Sequence, residues 1–156
     1  MKFKIISTSL LIIVVAIIFM FSNQNGTTSK KTSDNFTRSV IKIESKVTGK
    51  KYTEKEIKKK VFDSRKLVRK TAHFTLYFIL GICAYFTLKS YGVSNKILIY
   101  SILLCLGLAI FDEIHQLFSG DRSFKVFDIF IDTCGSSLSN LIIYGINNRK
   151  INKKSL

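Results

Sequence analysis

Four times along the chain the residues run apolar for long enough to cross the hydrocarbon of a bilayer: Ile5–Phe21, Thr71–Leu88, Ile97–Phe111 and Phe124 to about Ile146. At 1.5 Å per residue the first run is about 25 Å long and the second about 27 Å, near the roughly 30 Å of a hydrocarbon core. No proline interrupts them. Backbone in lipid has to satisfy its own hydrogen bonds, so runs of this length read as helices. The expected fold is an all-α integral membrane protein. It has four transmembrane helices, both termini on one side, and a basic, partly helical connector between the first and second spans.

The charge agrees with that frame. The formal net charge is +15 although 47% of the 156 residues are hydrophobic. Apolar residues gathered into spans and lysines gathered into the segments between them produce that pairing. Lysines flanking spans suit anionic lipid headgroups. No nucleic-acid-binding motif accompanies the charge, so membrane lipids are the expected partners and nucleic acid is not. Cys83, Cys105 and Cys134 all lie in apolar runs without a CxxC spacing and read as small apolar fillers. No cofactor motif is present, so no cofactor is expected.

In order, residues 1–21 form an N-terminal transmembrane anchor. Ser22-Asn23-Gln24-Asn25-Gly26 offers no small-x-small cleavage pattern, so the anchor is expected to stay. Residues 22–70 form the basic connector, opening with a Ser/Thr/Asn-rich stretch to Ser33 that reads as loop. Phe36, Val40, Ile43 and Val47 then fall at helical spacing. After Gly49, Thr53-x-x-Glu56 resembles a capping box, followed by a weakly apolar face of Ile57, Val61, Ser64 and Val68. Such a helix either lies on a membrane surface or is solvated all round. Residues 71–146 form a three-helix membrane core with a short turn over 89–96. Its third span continues as helix to Phe118 and is broken by Ser119-Gly120-Asp121. Residues 147–156 are a basic tail. Lysines at both termini and in the 89–96 turn place those parts in the cytoplasm. The connector then lies outside, despite carrying more Lys and Arg than all of them together.

The span ends carry chemistry. The stretch Phe111–Asp132 holds Asp112, Glu113, Asp128 and Asp132 at the ends of lipid-length helices. A charge at the centre of a membrane helix costs roughly 2.5–3.5 kcal/mol on insertion scales, so each needs a reason to be there. Topology puts the start of span two, the end of span three and the start of span four at one membrane face. That gathers Arg69, Lys70, His73, Asp112, Glu113, Gln116, Arg122, Asp128 and Asp132. Arg69, His73 and Tyr77 form a stripe at i, i+4 and i+8. Asp112 and Gln116 are four apart, as are Asp128 and Asp132, whose like charges call for a shared proton or a cationic partner. Asp132, Gly135, Ser136 and Ser139 form a small-residue face suited to close helix approach.

Two readings of the cluster stand at this point. In one, ion pairs hold helix ends together at the interface. In the other, a polar pocket receives a headgroup-bearing or lipid-linked ligand. Arginines and Lys70 would hold phosphate, with Glu113 or Asp112 as base or acceptor. A metal set of Asp112, Glu113, His115 and Asp128 is conceivable, although His115 is one position off the Glu113–Gln116 face.

Three blocks carry a family resemblance: Arg69-Lys70-x-x-His73-Phe74-x-x-Tyr77-x-x-Leu80-Gly81, Asp112-Glu113-x-x-Gln116-x-Phe118-x-x-x-Arg122, and Asp128-x-x-x-Asp132-x-x-Gly135. Together with Phe21-Ser22-Asn23-Gln24 they make the chain similar to the VanZ family. The resemblance departs at Asp132, where that family usually has asparagine, at Ser139, where it usually has glycine, and at Asp121. It implies a multi-pass protein of the bacterial cell membrane with a polar site at the outer face, of a type associated with resistance to teicoplanin, a lipid-bearing glycopeptide. Implied partners are a lipoglycopeptide or a lipid-linked envelope precursor. An enzyme acting on a lipid-linked phosphate or phospholipid headgroup, and a structural partner of envelope proteins, are the alternatives.

Overall fold

In the computed structural model the described residues are 1–24, 26–94, 96–118 and 124–152, with side chains as far as residue 147. Among them are five helices: α1 (Lys2–Ser22), α2 (Gly26–Thr48), α3 (Glu54–Ser90), α4 (Ile97–Gln116) and α5 (Val126–Asn152). All but α2 contain a segment long and apolar enough to cross a membrane. The all-α membrane fold with four spans is therefore what the apolar runs build.

Helix α3 is the axis of the bundle, with α1, α2, α4 and α5 all packed on it. Ile18, Tyr77, Leu80, Ala84, Cys105 and Ala109 form the core between them. The outward faces stay apolar, with Ile12, Leu103, Phe130 and Leu141 exposed. In water that pattern would be an aggregation surface, and in a bilayer it is the lipid contact. At the face holding both chain ends, Ser7 is tied to Ser90 (3.2 Å) and accepts from Thr87 through its carbonyl (3.0 Å), while Lys89 reaches Asn147 (3.3 Å). The start of α1 thus meets the end of α3, which in turn meets the end of α5, as an up-and-down bundle requires. Cys105 is buried in the core, Cys83 half-buried and Cys134 exposed.

The tightest contact is between α3 and α5. A Cβ on Gly135 would stand 2.5 Å from the Phe74 carbonyl oxygen. One on Gly81 would collide with the Ser139 hydroxyl and stand 2.7 Å from the Ser136 carbonyl oxygen. The small-residue face of α5 therefore does what its composition suggests, letting two backbones touch. Farther along, Ser101 donates to Asn140 (2.6 Å), whose amide donates to the Ser136 carbonyl (2.8 Å), in a wholly buried link between α4 and α5.

The connector differs from its expected form in two ways. Residues 26–33, expected as loop, are the first turns of α2. Serine and threonine are poor helix formers because their hydroxyls compete for backbone partners. Here the competition is absorbed within the helix: Ser33 and Thr37 donate to the carbonyls four residues back (3.1 and 2.9 Å). Their small side chains, with Ser29 and Ile41, form the buried face of α2. The second difference concerns residues 54–70, which do not form a separate surface helix. They are the first half of α3, continuous with its span over 37 residues, about 55 Å. A helix that continues a span leaves the membrane rather than lying along it.

Helices α2 and α3 instead form an antiparallel hairpin. Thr53 caps α3 in a full capping box with Glu56. Arg65 holds Asp34 through two 2.7 Å bonds. At the turn, the Tyr52 hydroxyl donates to Glu44 (2.6 Å) with Lys60 beside it, holding the Glu44 carboxyl below its usual range. Val61 is buried in the hairpin, while Phe36, Val40, Ile43 and Val47 are exposed along the outside of α2.

The α3–α5 contact predicts that Gly135→Ala destabilises the bundle by about 1–3 kcal/mol, the usual range for overpacking. Gly107→Ala should be neutral or better, because nothing lies within 4 Å of the added carbon. Thermal unfolding of the two variants in detergent checks this.

Candidate functional site

Because α3 and α5 touch, their polar positions face each other. Arg69 and Lys70 on α3 both pair with Asp128 on α5, at 3.6 and 3.8 Å. Lys70 also stands 3.9 Å over the Phe127 ring. One turn deeper, His73 Nδ1 lies 3.8 Å from the Asp132 carboxylate. One turn deeper again is Tyr77, wholly buried. The stripe at i, i+4 and i+8 thus becomes a ladder that runs from partly exposed cations to a closed interior.

Helix α4 supplies the other wall. Asp112 Oδ2 accepts from the Ser22 hydroxyl at the end of α1 (2.8 Å) and from the Gln116 side chain (2.9 Å). Asp112, Glu113, Gln116 and Asp132 are all buried. Glu113 accepts from the Lys125 backbone N–H at 2.8 Å, where α5 begins. A carboxylate is favoured at a helix N-terminus, where backbone donors have no partner within the helix. In this structure, then, Glu113 positions α5.

Nine of the ten residues singled out from the sequence converge here: Arg69, Lys70, His73, Tyr77, Asp112, Glu113, Gln116, Asp128 and Asp132. Arg122 lies outside the described residues, as does the break over 119–121. The metal set of Asp112, Glu113, His115 and Asp128 is not brought together. The His115 ring packs edge-on against Phe19 of α1, 5.6 Å between centroids. His73 is the histidine placed among carboxylates, and its ligand atoms, with those of Asp112 and Asp132, lie within 4.8 Å of one another.

Two features were not read from the sequence. Ser22 joins the cluster, whereas the sequence marked it only as part of the Phe21-Ser22-Asn23-Gln24 resemblance and not as a site residue. The other is a groove of about 580 Å³ between α2, α3 and the end of α1. Phe21, Phe36, Leu67 and Leu76 give it apolar walls, and Arg69 and His73 lie on its lining. Both residues also line a narrow crevice with Lys70, Asp128, Ile131 and Asp132, so the groove and the buried carboxylates share a wall.

The family model described as VanZ/LLP1 matches residues 8–147. No curated protein and no solved structure matches.

If Glu113 positions α5, Glu113→Gln keeps a carbonyl acceptor for Lys125 and should preserve thermal stability. Glu113→Leu removes the acceptor and should cost about 0.5–2 kcal/mol, the usual loss for a helix cap. Unfolding midpoints of the two purified variants decide the point.

Proposed function

The chain belongs to the VanZ/LLP1 family, and on that premise we propose that it is a multi-pass protein of the bacterial cell membrane. In this proposal it binds an amphiphile and lowers susceptibility to lipid-bearing glycopeptides of the teicoplanin type, without catalysing a reaction on them. The observation that carries the reading is the groove, whose apolar walls suit an acyl chain and whose lining includes Arg69 and His73. Small-molecule sites have this composition, mostly apolar with a few polar groups that fix orientation. Teicoplanin differs from vancomycin by its acyl chain, and the groove is a place for such a chain. The proposed orientation puts both termini in the cytoplasm and the hairpin, groove and cluster at the outer face, where such a drug acts.

Orientation is checked with Lys46→Cys, an exposed position on the hairpin. A membrane-impermeant maleimide should label it in intact cells, and labelling only after lysis would invert the topology. Function is checked by drug susceptibility in a Gram-positive host, with membrane abundance matched by blotting. The protein should raise the inhibitory concentration of teicoplanin several-fold and leave that of vancomycin nearly unchanged. Leu67→Asp, which puts a charge on the groove wall, should abolish the effect. Equal protection against both drugs would remove the acyl chain from the argument.

A further inference from the structure

We propose that His73, Asp112 and Asp132 form a binding site for a divalent first-row transition-metal cation, of the Zn²⁺ or Mn²⁺ type. The inference rests on the cluster alone and stands whether or not the protein alters drug susceptibility.

The first argument is geometric. Three atoms no more than 4.8 Å apart all lie within about 2.8 Å of a common point, by plane geometry. Zinc–nitrogen and zinc–oxygen distances are about 2.0–2.2 Å. Side-chain shifts of less than about 1 Å therefore bring all three ligands onto one ion. The three come from α3, α4 and α5, so the ion would sit where the spans of the membrane core meet.

The second argument concerns unmet bonding. Asp132 is buried, and neither of its carboxylate oxygens has a hydrogen-bond partner among the described residues. Asp112 is held by Ser22 and Gln116 through Oδ2 alone, and its Oδ1 is likewise unpartnered. That is how an outer layer of hydrogen bonds presents a ligand oxygen. The Tyr77 hydroxyl, fully buried, also has no hydrogen-bond partner among the described residues and lies within electrostatic reach of both aspartates. Buried polar groups in folded proteins are nearly always partnered, so orphaned oxygens on two aspartates and a tyrosine in one place point to a missing guest.

The third argument is charge. Among the described residues, the cations of the cluster, Arg69 and Lys70, are paired with Asp128 one turn away. Two carboxylates and a neutral imidazole carry the charge that one divalent cation cancels, which matters most where the dielectric is low. The ligand chemistry selects the metal. Imidazole suits zinc and iron, carboxylates suit manganese and magnesium, and a mixed set favours a transition metal over Mg²⁺ or Ca²⁺. Three protein ligands leave a coordination position open. The narrow crevice lined by Arg69, Lys70 and Asp128 also has His73 and Asp132 on its wall, so two of the three ligands border it.

The experiment uses the full chain, purified in detergent without chelators. Metal content is measured by mass spectrometry, and the chelated protein is then titrated with ZnCl₂ and MnCl₂ while unfolding is followed. The expected result is one bound ion per chain, a raised unfolding midpoint with either metal, and an X-ray absorption shell of nitrogen and oxygen with a single imidazole. Asp132→Asn and His73→Gln should each weaken binding more than about tenfold. Absence of metal together with no response to titration would overturn the site and leave a carboxyl pair sharing a proton. Sulfur or two imidazoles in the absorption shell would overturn it equally, as would full binding by both variants. Should the variants fail to fold, the wild-type absorption spectrum decides by itself.

Discussion

Gly135 of α5 rests on the Phe74 carbonyl of α3, and Gly81 of α3 rests on the Ser136 carbonyl of α5. No side chain fits between these backbones, and most other features of the molecule follow from that contact. Helices this close present residues one turn apart to each other in register. Arg69 and Lys70 thereby meet Asp128, and His73 meets Asp132. A methyl group at either glycine would push the facing positions apart, and pairs at 3.6–3.8 Å have little reach to spare. In lipid there is no hydrophobic force drawing helices together, so close packing of small residues and buried polar contacts have to hold the bundle. The Ser101–Asn140–Ser136 link ties α4 to α5 in the same way.

The cluster is graded in depth. Its outer tier balances two cations against Asp128 and is partly exposed. Its inner tier holds two buried aspartates beside a half-buried histidine, with several oxygens lacking donors among the described residues. Structural ion pairs at a membrane interface explain the first tier well. They do not explain the second, where burying charge without partners is costly. An inner tier of that kind is what a binding site for a cation or a polar ligand would leave behind in a protein otherwise packed from apolar and small residues.

The hairpin adds a second environment. By continuing the span of α3 outward and folding α2 back along it, the connector builds one wall of the groove. It also holds its own turn together through Asp34–Arg65 and Glu44–Tyr52. The connector is thus part of the site rather than a tether between spans. Its basic surface stands next to the face of the bundle where the buried acids lie.

The spans, the convergence of polar residues on one face, the stripe of Arg69, His73 and Tyr77 and the small face of α5 were all legible in the sequence. They follow from length, helical period and alternation of spans, which are local or topological properties. The capping box at Thr53 was legible for the same reason. The helical state of residues 26–33 was not, since isolated serines and threonines favour loops and only packing against α3 makes them a buried helix face. The choice of His73 over His115 was legible in part: helical spacing puts His73 on the polar stripe and His115 one position off the Glu113–Gln116 face, but that His73 rather than His115 stands beside the aspartates depends on how α1 packs and turns His115 toward Phe19. The sequence by itself determined how many helices cross and which polar residues share a face, because periodicity and hydrophobic length act within each segment. The tertiary structure alone decided which of those residues touch and which are left unpartnered, because that depends on helix rotations fixed by contacts between distant segments.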